Sequence, residues 1–123
     1  MNTIDNEIKK YLSEEELLCQ LAEECNELGK AALKLRRVLD GTNPTPKTEE
    51  EARDDLIEEA ADVYNVLGLL LDAGNHAEIY DIIRKKKTRW IGRLEENQKK
   101  IVAAVTVETK QIFSRCDEDW SEG

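Results

Sequence analysis

Apolar residues recur at steps of three and four along the first third of the chain, which is the spacing of one face of an α-helix. The stripe consists of Leu17, Leu21, Cys25, Leu28, Ala32, Leu35 and Leu39. Ser13 precedes it with Glu16 three residues later, the pattern of a capping box that opens a helix. Gly41 follows it, where a helix commonly ends. The pattern predicts a long helix from about Ser13 to Leu39.

A second capping box, formed by Thr48 and Glu51, follows the one obvious loop, residues 41–47, which contains both prolines of the chain. We predict that the helix continues to about Ala73 and ends at Gly74. Between residues 56 and 71 its apolar positions cover more than one face. A helix that is apolar on several sides needs neighbours on several sides.

The third long helix is predicted from about His76 to Lys99, with Asn75 as its cap. Its inner stripe would be Ile79, Ile82 or Ile83, Trp90 and Leu94. Residues 1–12 suggest a short amphipathic helix or arm, and residues 101–107 a fourth short helix or packing arm. Residues 117–123 form an acidic tail that we expect to be frayed.

These elements predict an all-α fold, an antiparallel helical bundle of three long helices plus short terminal helices. We expect a single domain over residues 1–123, with a core at about 13–99, an N-terminal arm at 1–12 and a C-terminal arm and tail at 100–123. Helices of about 26 residues span roughly 39 Å, longer than a compact domain of this size. We therefore expect the core to be completed by oligomerisation, as a homodimer or homotetramer.

Composition and charge narrow the functional classes. Charged residues make up 37% of the chain and aromatic residues 5%, which is typical of long helices. The net charge of −9 argues against nucleic acid or a membrane surface as partner, because both are anionic. Three cysteines without a metal-binding spacing, and a polar N-terminal stretch, predict reduced cysteines packed as small hydrophobes in a cytoplasmic protein.

Two pairs of acids lie in the middle of the first two long helices: Glu24 with Glu27, and Glu59 with Asp62. Residues three apart share one helix face. Counted from the connecting loop, all four lie roughly 17–24 Å along antiparallel helices, so the pairs should sit at nearly the same height. Carboxylates without His or Cys favour Mg²⁺, with Mn²⁺ also possible, over zinc.

Acid pairs at this spacing also occur elsewhere in the chain, at Glu51 with Asp54 and at Glu78 with Asp81. Both of these lie in or near first helical turns, where the helix dipole favours acids without any bound ion. The spacing by itself therefore leaves two interpretations of the mid-helix pairs open, a metal site and a solvated acidic face.

The segment from Leu21 to Leu28, LAEECNEL, followed by the segment from Glu58 to Val63, EEAADV, resembles the E-x-x-E…E-x-x-D signature of MazG-like all-α nucleoside triphosphate pyrophosphohydrolases. The resemblance covers residues 13–94. It implies Mg²⁺ held by the matching residues, which are Glu24, Glu27, Glu59 and Asp62. It also implies cleavage of a nucleoside triphosphate between the α- and β-phosphates, and a core completed by oligomerisation. Two departures are a long loop between the half-motifs and an alanine at position 61, where glycine often stands.

Four further residues are candidates for binding the substrate. Asn65 lies one turn after Asp62 and would contact the sugar or base, or else make an ordinary contact between helices. Lys86, Arg89 and Arg93 share one helix side and would neutralise the leaving pyrophosphate, or else form a solvated basic face. The attacking water would be held on the metal, or oriented by Glu23 or Glu24.

The leading prediction is a Mg²⁺-dependent enzyme that converts nucleoside triphosphates to monophosphates and pyrophosphate in nucleotide-pool clean-up. One alternative is a non-catalytic helical interaction protein of the same fold, whose acids are surface groups. Another is a hydrolase of a different nucleotide phosphate, such as dUTP or a phosphoribosyl nucleotide.

Overall fold

The computed structural model describes residues 3–42 and 46–121, with side chains described as far as residue 115. Across these residues every regular element is a helix, which confirms the predicted all-α class. The helices are α1 (Thr3–Tyr11), α2 (Glu14–Asp40), α3 (Glu49–Leu70) and α4 (Ala73–Ser121). The predicted loop at residues 41–47 lies partly outside the described residues.

Both predicted capping boxes are present. The Ser13 hydroxyl accepts a hydrogen bond from the backbone N–H of Glu16 at 3.1 Å, and the Glu16 carboxylate accepts one from the Ser13 N–H at 3.4 Å. Thr48 and Glu51 make the same reciprocal pair at 3.1 and 3.2 Å. Gly41 closes α2 with a φ of 71°, a left-handed conformation that glycine adopts without strain. Both helix starts and the end of α2 are thus confirmed.

The end of α3 differs from the prediction. The helix stops before Leu71, whose backbone is extended, rather than at Gly74. Asp72 then accepts a hydrogen bond from the N–H of Asn75 at 2.8 Å, and the Asn75 side chain accepts one from the N–H of Asp72 at 3.1 Å. This reciprocal pair starts α4 earlier than predicted, so Gly74 lies within the first turn and Asn75 is not the cap.

The C-terminal part of the chain is one continuous helix. The predicted break before a short helix or arm at residues 101–107 is wrong, because α4 continues to Ser121. Thr106 and Thr109 lie within this helix despite their modest helix propensity, and their hydroxyls donate to the carbonyls of Val102 and Val105, each at 2.8 Å. Helix α4 includes residues 117–121 of the predicted acidic tail, whose fraying stays a prediction, and residues 122–123 lie outside the described residues.

The chain divides into two compact units, Met1–His76 and Ala77–Gly123. In the first unit α2 and α3 pack against each other. Leu17, near the start of α2, lines the same depression as Leu69 and Leu70 at the end of α3, so the two helices are antiparallel. The buried side chains of this unit are Leu17, Ala31, Leu35, Ala52, Val63, Val66 and Leu69. The prediction of a single domain stays a prediction.

In the second unit, the side chains of α4 from Tyr80 to Arg115 are all exposed in the single chain. The predicted inner stripe of this helix is half-buried only at Ile79, whereas Trp90 is 63% exposed and Leu94 is 51% exposed. The predicted three-helix bundle therefore stays a prediction. None of the described helices combines the length and the apolarity needed to cross a membrane.

The two cysteines on α2 correct another prediction. Cys19 and Cys25 are free and exposed, not packed as small hydrophobes, while the Cys116 side chain lies outside the described part of the chain. Helix α2 is rotated so that Ala31, one residue before Ala32 in the predicted stripe, faces α3. A small rotation of a helix is enough to move the edge of its apolar stripe into solvent.

Candidate metal centre

A seam of buried and half-buried side chains joins α2 and α3, and one glutamate from each helix lies in it. Steps of three and four place Glu24 between Leu21 and Leu28 on α2, and Glu59 between Leu56 and Val63 on α3. Both glutamates are half-buried, as are most of their apolar neighbours. The helical period therefore places these acids where a continuous core would have apolar residues.

Three carboxylates converge at this point of the seam. One oxygen each from Glu24, Glu59 and Asp62 lies within 4.8 Å of the other two. Asp62 is exposed at the edge of the seam, one turn along α3 from Glu59. The common height expected from counting along the two helices is therefore found for three of the four predicted acids.

Glu27, the fourth predicted acid, is not one of the three converging residues. It is exposed, and its Oε1 accepts a hydrogen bond from Nζ of Lys30 at 3.2 Å, one turn further along α2. Its charge nevertheless acts on Glu59, whose pKa it helps to raise. Glu27 thus lies near the cluster while its carboxylate is paired outside it, and its predicted role as a ligand stays a prediction.

The pKa of Glu59 is raised above its ordinary value. Desolvation in the seam is the largest cause, followed by the negative charge of Asp62 and then those of Glu27, Glu24 and Glu58. Desolvation and nearby negative charge each disfavour the ionised carboxylate. A cation between these oxygens would act in the opposite direction, because it favours the ionised form of every carboxylate around it.

Gln20 is a supporting residue that the sequence interpretation missed. Its side-chain amide donates a hydrogen bond to Oε1 of Glu24 at 2.6 Å from one turn earlier on α2. A glutamine four residues before a glutamate is a recognisable helical pair. The bond holds one oxygen of Glu24 and leaves the other oxygen able to accept further bonds, as an orienting partner of a metal ligand does.

The donor set fits a hard divalent cation. All three groups offer carboxylate oxygens, which Mg²⁺ and Mn²⁺ prefer. Mg²⁺ binds oxygens at about 2.0–2.1 Å in an octahedron, so neighbouring ligands lie about 2.9 Å apart and opposite ligands about 4.2 Å apart. The oxygens here lie within 4.8 Å of one another, so side-chain rotations of the exposed or half-buried acids would bring them closer together around one ion. Three ligands on one side of an octahedral ion leave positions for water and for phosphate oxygens.

The other predicted site residues are placed as follows. Asn65 is exposed on α3, one turn after Asp62. Lys86, Arg89 and Arg93 are exposed on α4 and belong to the second unit. The structure thus brings three acids of the first unit together, and the binding roles of these four residues stay predictions.

Comparison of the chain with family models, with curated proteins and with solved structures finds no match. The resemblance to MazG-like pyrophosphohydrolases therefore rests on the two half-motifs and on the segments around them. The structure adds one independent observation to those motifs: an acid from each half-motif lies in the same interhelical seam.

Proposed function

We propose that this chain is a Mg²⁺-dependent nucleoside triphosphate pyrophosphohydrolase. The observation that carries the proposal is the convergence of Glu24, Glu59 and Asp62 from two helices within 4.8 Å. Clusters of exposed acids also occur on protein surfaces with no ion bound, so the half-burial of two members matters more than their number. Burying like charges together costs stability unless a cation offsets it, and nucleotide phosphates commonly complete the coordination of Mg²⁺.

Each acid has a distinct part in this proposal. Glu24, Glu59 and Asp62 would hold the ion, and Gln20 would keep Glu24 in its orientation. Bound Mg²⁺ would supply positive charge to the triphosphate oxygens. A water oriented by Glu23 or Glu24 would attack the α-phosphorus and lose a proton to that carboxylate, while the bond from the α-phosphorus to the bridging oxygen breaks and pyrophosphate leaves.

The substrate-binding residues would act on the two ends of the nucleotide. Lys86, Arg89 and Arg93 present three cations on one side of α4 and would offset the charge of the leaving pyrophosphate. Asn65 would hydrogen-bond to the sugar or base, since an exposed amide one turn from the acids can both donate and accept. This part of the proposal requires α4 of the same or another copy to come near the acidic seam.

The proposal includes assembly into a homodimer or homotetramer that completes the helical bundle. In the first unit, Leu18, Leu33, Ile57 and Tyr64 are between 52% and 76% exposed, and they lie on α2 and α3. Exposed large apolar residues on both helices of a hairpin are typical of an interface with further helices. A second copy would supply those helices.

The test is pyrophosphate release from a panel of canonical and modified nucleoside triphosphates, with Mg²⁺ or Mn²⁺. Loss of an outer partner of a metal ligand commonly costs 10–100-fold, so loss of a ligand itself by Glu24→Gln or Glu59→Gln should cost at least about 100-fold. A matched control compares the double variant Glu59→Gln/Asp62→Asn with Glu78→Gln/Asp81→Asn. Both doubles remove two acids at the same helical spacing, but the second pair is exposed on α4.

Three results would contradict the proposal in different ways. No release of pyrophosphate from any triphosphate would favour the non-catalytic interaction protein. Activity that responds equally to the two double variants would show that the seam is a solvated acidic face. Release confined to dUTP or a phosphoribosyl nucleotide would keep the chemistry and assign it to the alternative substrate class.

A further inference from the structure

Apolar residues on α4 repeat with a period of 11. Three full clusters are followed by the start of a fourth: Ile79, Tyr80 and Ile83; Trp90, Ile91 and Leu94; Ile101, Val102 and Val105; Ile112 and Phe113. Each position in one cluster has an apolar counterpart 11 residues later, as Ile83, Leu94 and Val105 show. The repeat crosses the point at which the helix was expected to break, and it spans the part of α4 that the first unit does not include.

An 11-residue period keeps all clusters on one side of the helix. Eleven residues make three turns at 3.67 residues per turn, close to the 3.6 of an ordinary α-helix, and each repeat advances about 16.5 Å. Ten of the cluster side chains are exposed in the single chain, by 38% to 69%. A regular apolar stripe of this length on an otherwise charged helix is the pattern of a helix that packs along a partner helix.

We propose that this stripe pairs with the α4 stripe of a second copy of the chain, antiparallel and with all clusters in register. In this register Trp90 lies opposite Val105 of the partner copy, and Leu94 lies opposite Ile101 of the partner copy. The pairing uses no residue of the acidic seam, and its tests measure assembly and not activity. It specifies one surface of the assembly, and that surface lies wholly within the second unit.

Charge selects the antiparallel direction. Between positions 84 and 93 there are six basic residues and no acid: Arg84, Lys85, Lys86, Lys87, Arg89 and Arg93. A parallel pair would place this segment beside its own copy, which is unfavourable because like charges repel. The antiparallel register places it beside residues 102–111, which contain one acid and one base, Glu108 and Lys110.

The polar gaps between clusters also match in this register. Lys87, in the gap after the first cluster, lies opposite Glu108 of the partner copy, and the symmetry of the pair makes this contact twice. At the centre, Asn97 lies opposite Gln98 of the partner copy, and two amides can donate to and accept from each other. In a parallel pair, Lys87 would instead meet Lys87 of the partner copy.

The stripe is large enough for a stable interface. With on the order of 50 Å² of apolar surface covered per large side chain, ten such side chains on each helix would bury about 1,000 Å². A biological interface is expected to bury about this much or more. The charged residues beside the stripe would then form its solvated edge.

The first test compares Leu94→Lys with Val107→Lys in the full chain by light scattering at micromolar concentration. Both remove an exposed apolar side chain, 51% and 54% exposed, and introduce a good helix former. Leu94 lies in the stripe, whereas Val107 lies about half a turn away from it. We expect Leu94→Lys to halve the mass of the assembly and Val107→Lys to leave it unchanged, with helical circular dichroism retained in both.

The second test reverses the proposed charge pair. Lys87→Glu places a glutamate opposite Glu108 of the partner copy at both symmetry-related contacts. We therefore expect the dissociation constant of the pair to rise about tenfold at low salt. Combining it with Glu108→Lys restores opposite charges and should return the constant to near the wild-type value. A parallel pair predicts no such restoration, because each changed residue would face its own copy.

Several outcomes would overturn the inference. The first is a wild-type chain that is monomeric at 100 µM. The second is an assembly whose mass responds equally to Leu94→Lys and Val107→Lys. Dissociation by Leu94→Lys without restoration by the double charge reversal would refute the antiparallel register. Loss of pyrophosphohydrolase activity would not bear on the pairing, so failure of the proposed function and failure of this inference can be told apart.

Discussion

Two adjacent leucines on α2 offer a direct test of the seam between α2 and α3. Leu17 is 4% exposed and contributes to the core of the first unit, whereas Leu18 is 52% exposed on another side of the same helix. Replacing each by alanine makes the same chemical change one residue apart. Any difference between the two changes in the free energy of unfolding therefore reports the difference in burial of the two side chains.

The expected size of the Leu17→Ala effect follows from its burial. Losing about three methylene equivalents at about 0.8 kcal/mol each removes about 2.4 kcal/mol, and an unfilled cavity raises the cost of such changes to between 2.7 and 5.0 kcal/mol. Leu17 lies beside an open depression near Leu70, at the end of the hairpin, where neighbours can move inward. We therefore expect about 2.5–3.5 kcal/mol, the lower part of the range.

Leu18→Ala should cost about 1 kcal/mol or less, because half of the side chain already lies in water and alanine slightly favours the helix. Urea unfolding followed by circular dichroism at 222 nm measures both values. It should be repeated at two protein concentrations, since a cost for Leu18 that grows with concentration would report an interface. A concentration-independent cost for Leu17→Ala no larger than that for Leu18→Ala would refute the seam as the core of this unit.

Three further predictions concern the acidic cluster and the helix ends. The raised pKa of Glu59 means that the folded chain keeps this proton to higher pH than the unfolded chain. Without divalent ions, the contribution of Glu59 to the free energy of unfolding should therefore fall as the pH rises from 4.5 through the folded pKa, and the difference between the wild-type chain and Glu59→Gln in thermal melts across pH measures this contribution. Ser13→Ala and Thr48→Ala should each cost about 1 kcal/mol in urea unfolding, because each leaves a first-turn N–H without its cap, and Glu15→Ala should cost less. Gly41→Ala should cost about 1–2 kcal/mol by the same assay, since its φ of 71° strains any residue with a Cβ, and a neutral result would mean that this turn relaxes.

Local signals in the chain were sufficient for the starts of α2 and α3. The capping boxes at Ser13 and Thr48 need only residues three apart, so they can be predicted without knowledge of distant contacts. The end of α3 was mispredicted because a second local signal was not recognised. Glycine commonly ends a helix, which favoured Gly74, but the reciprocal hydrogen bonds between Asp72 and Asn75 start the next helix before that residue.

The sequence predicted the position of the acids along the helix axes, but not which acids point into the seam. Rise per residue alone places Glu24 near Glu59 and Asp62 on antiparallel helices. Which acids turn into the seam depends on the rotation of each helix about its own axis. In the fold Glu24 turns inward, while Glu27 turns outward to pair with Lys30.

The order of residues decides what lies within one or two helical turns: the helical class, the caps, and the presence of acid pairs on α2 and α3. Packing decides which face of each helix loses water, because burial depends on contacts between residues far apart in the chain. That is why Cys25 is exposed, and why desolvation in the seam is the largest cause of the raised pKa of Glu59.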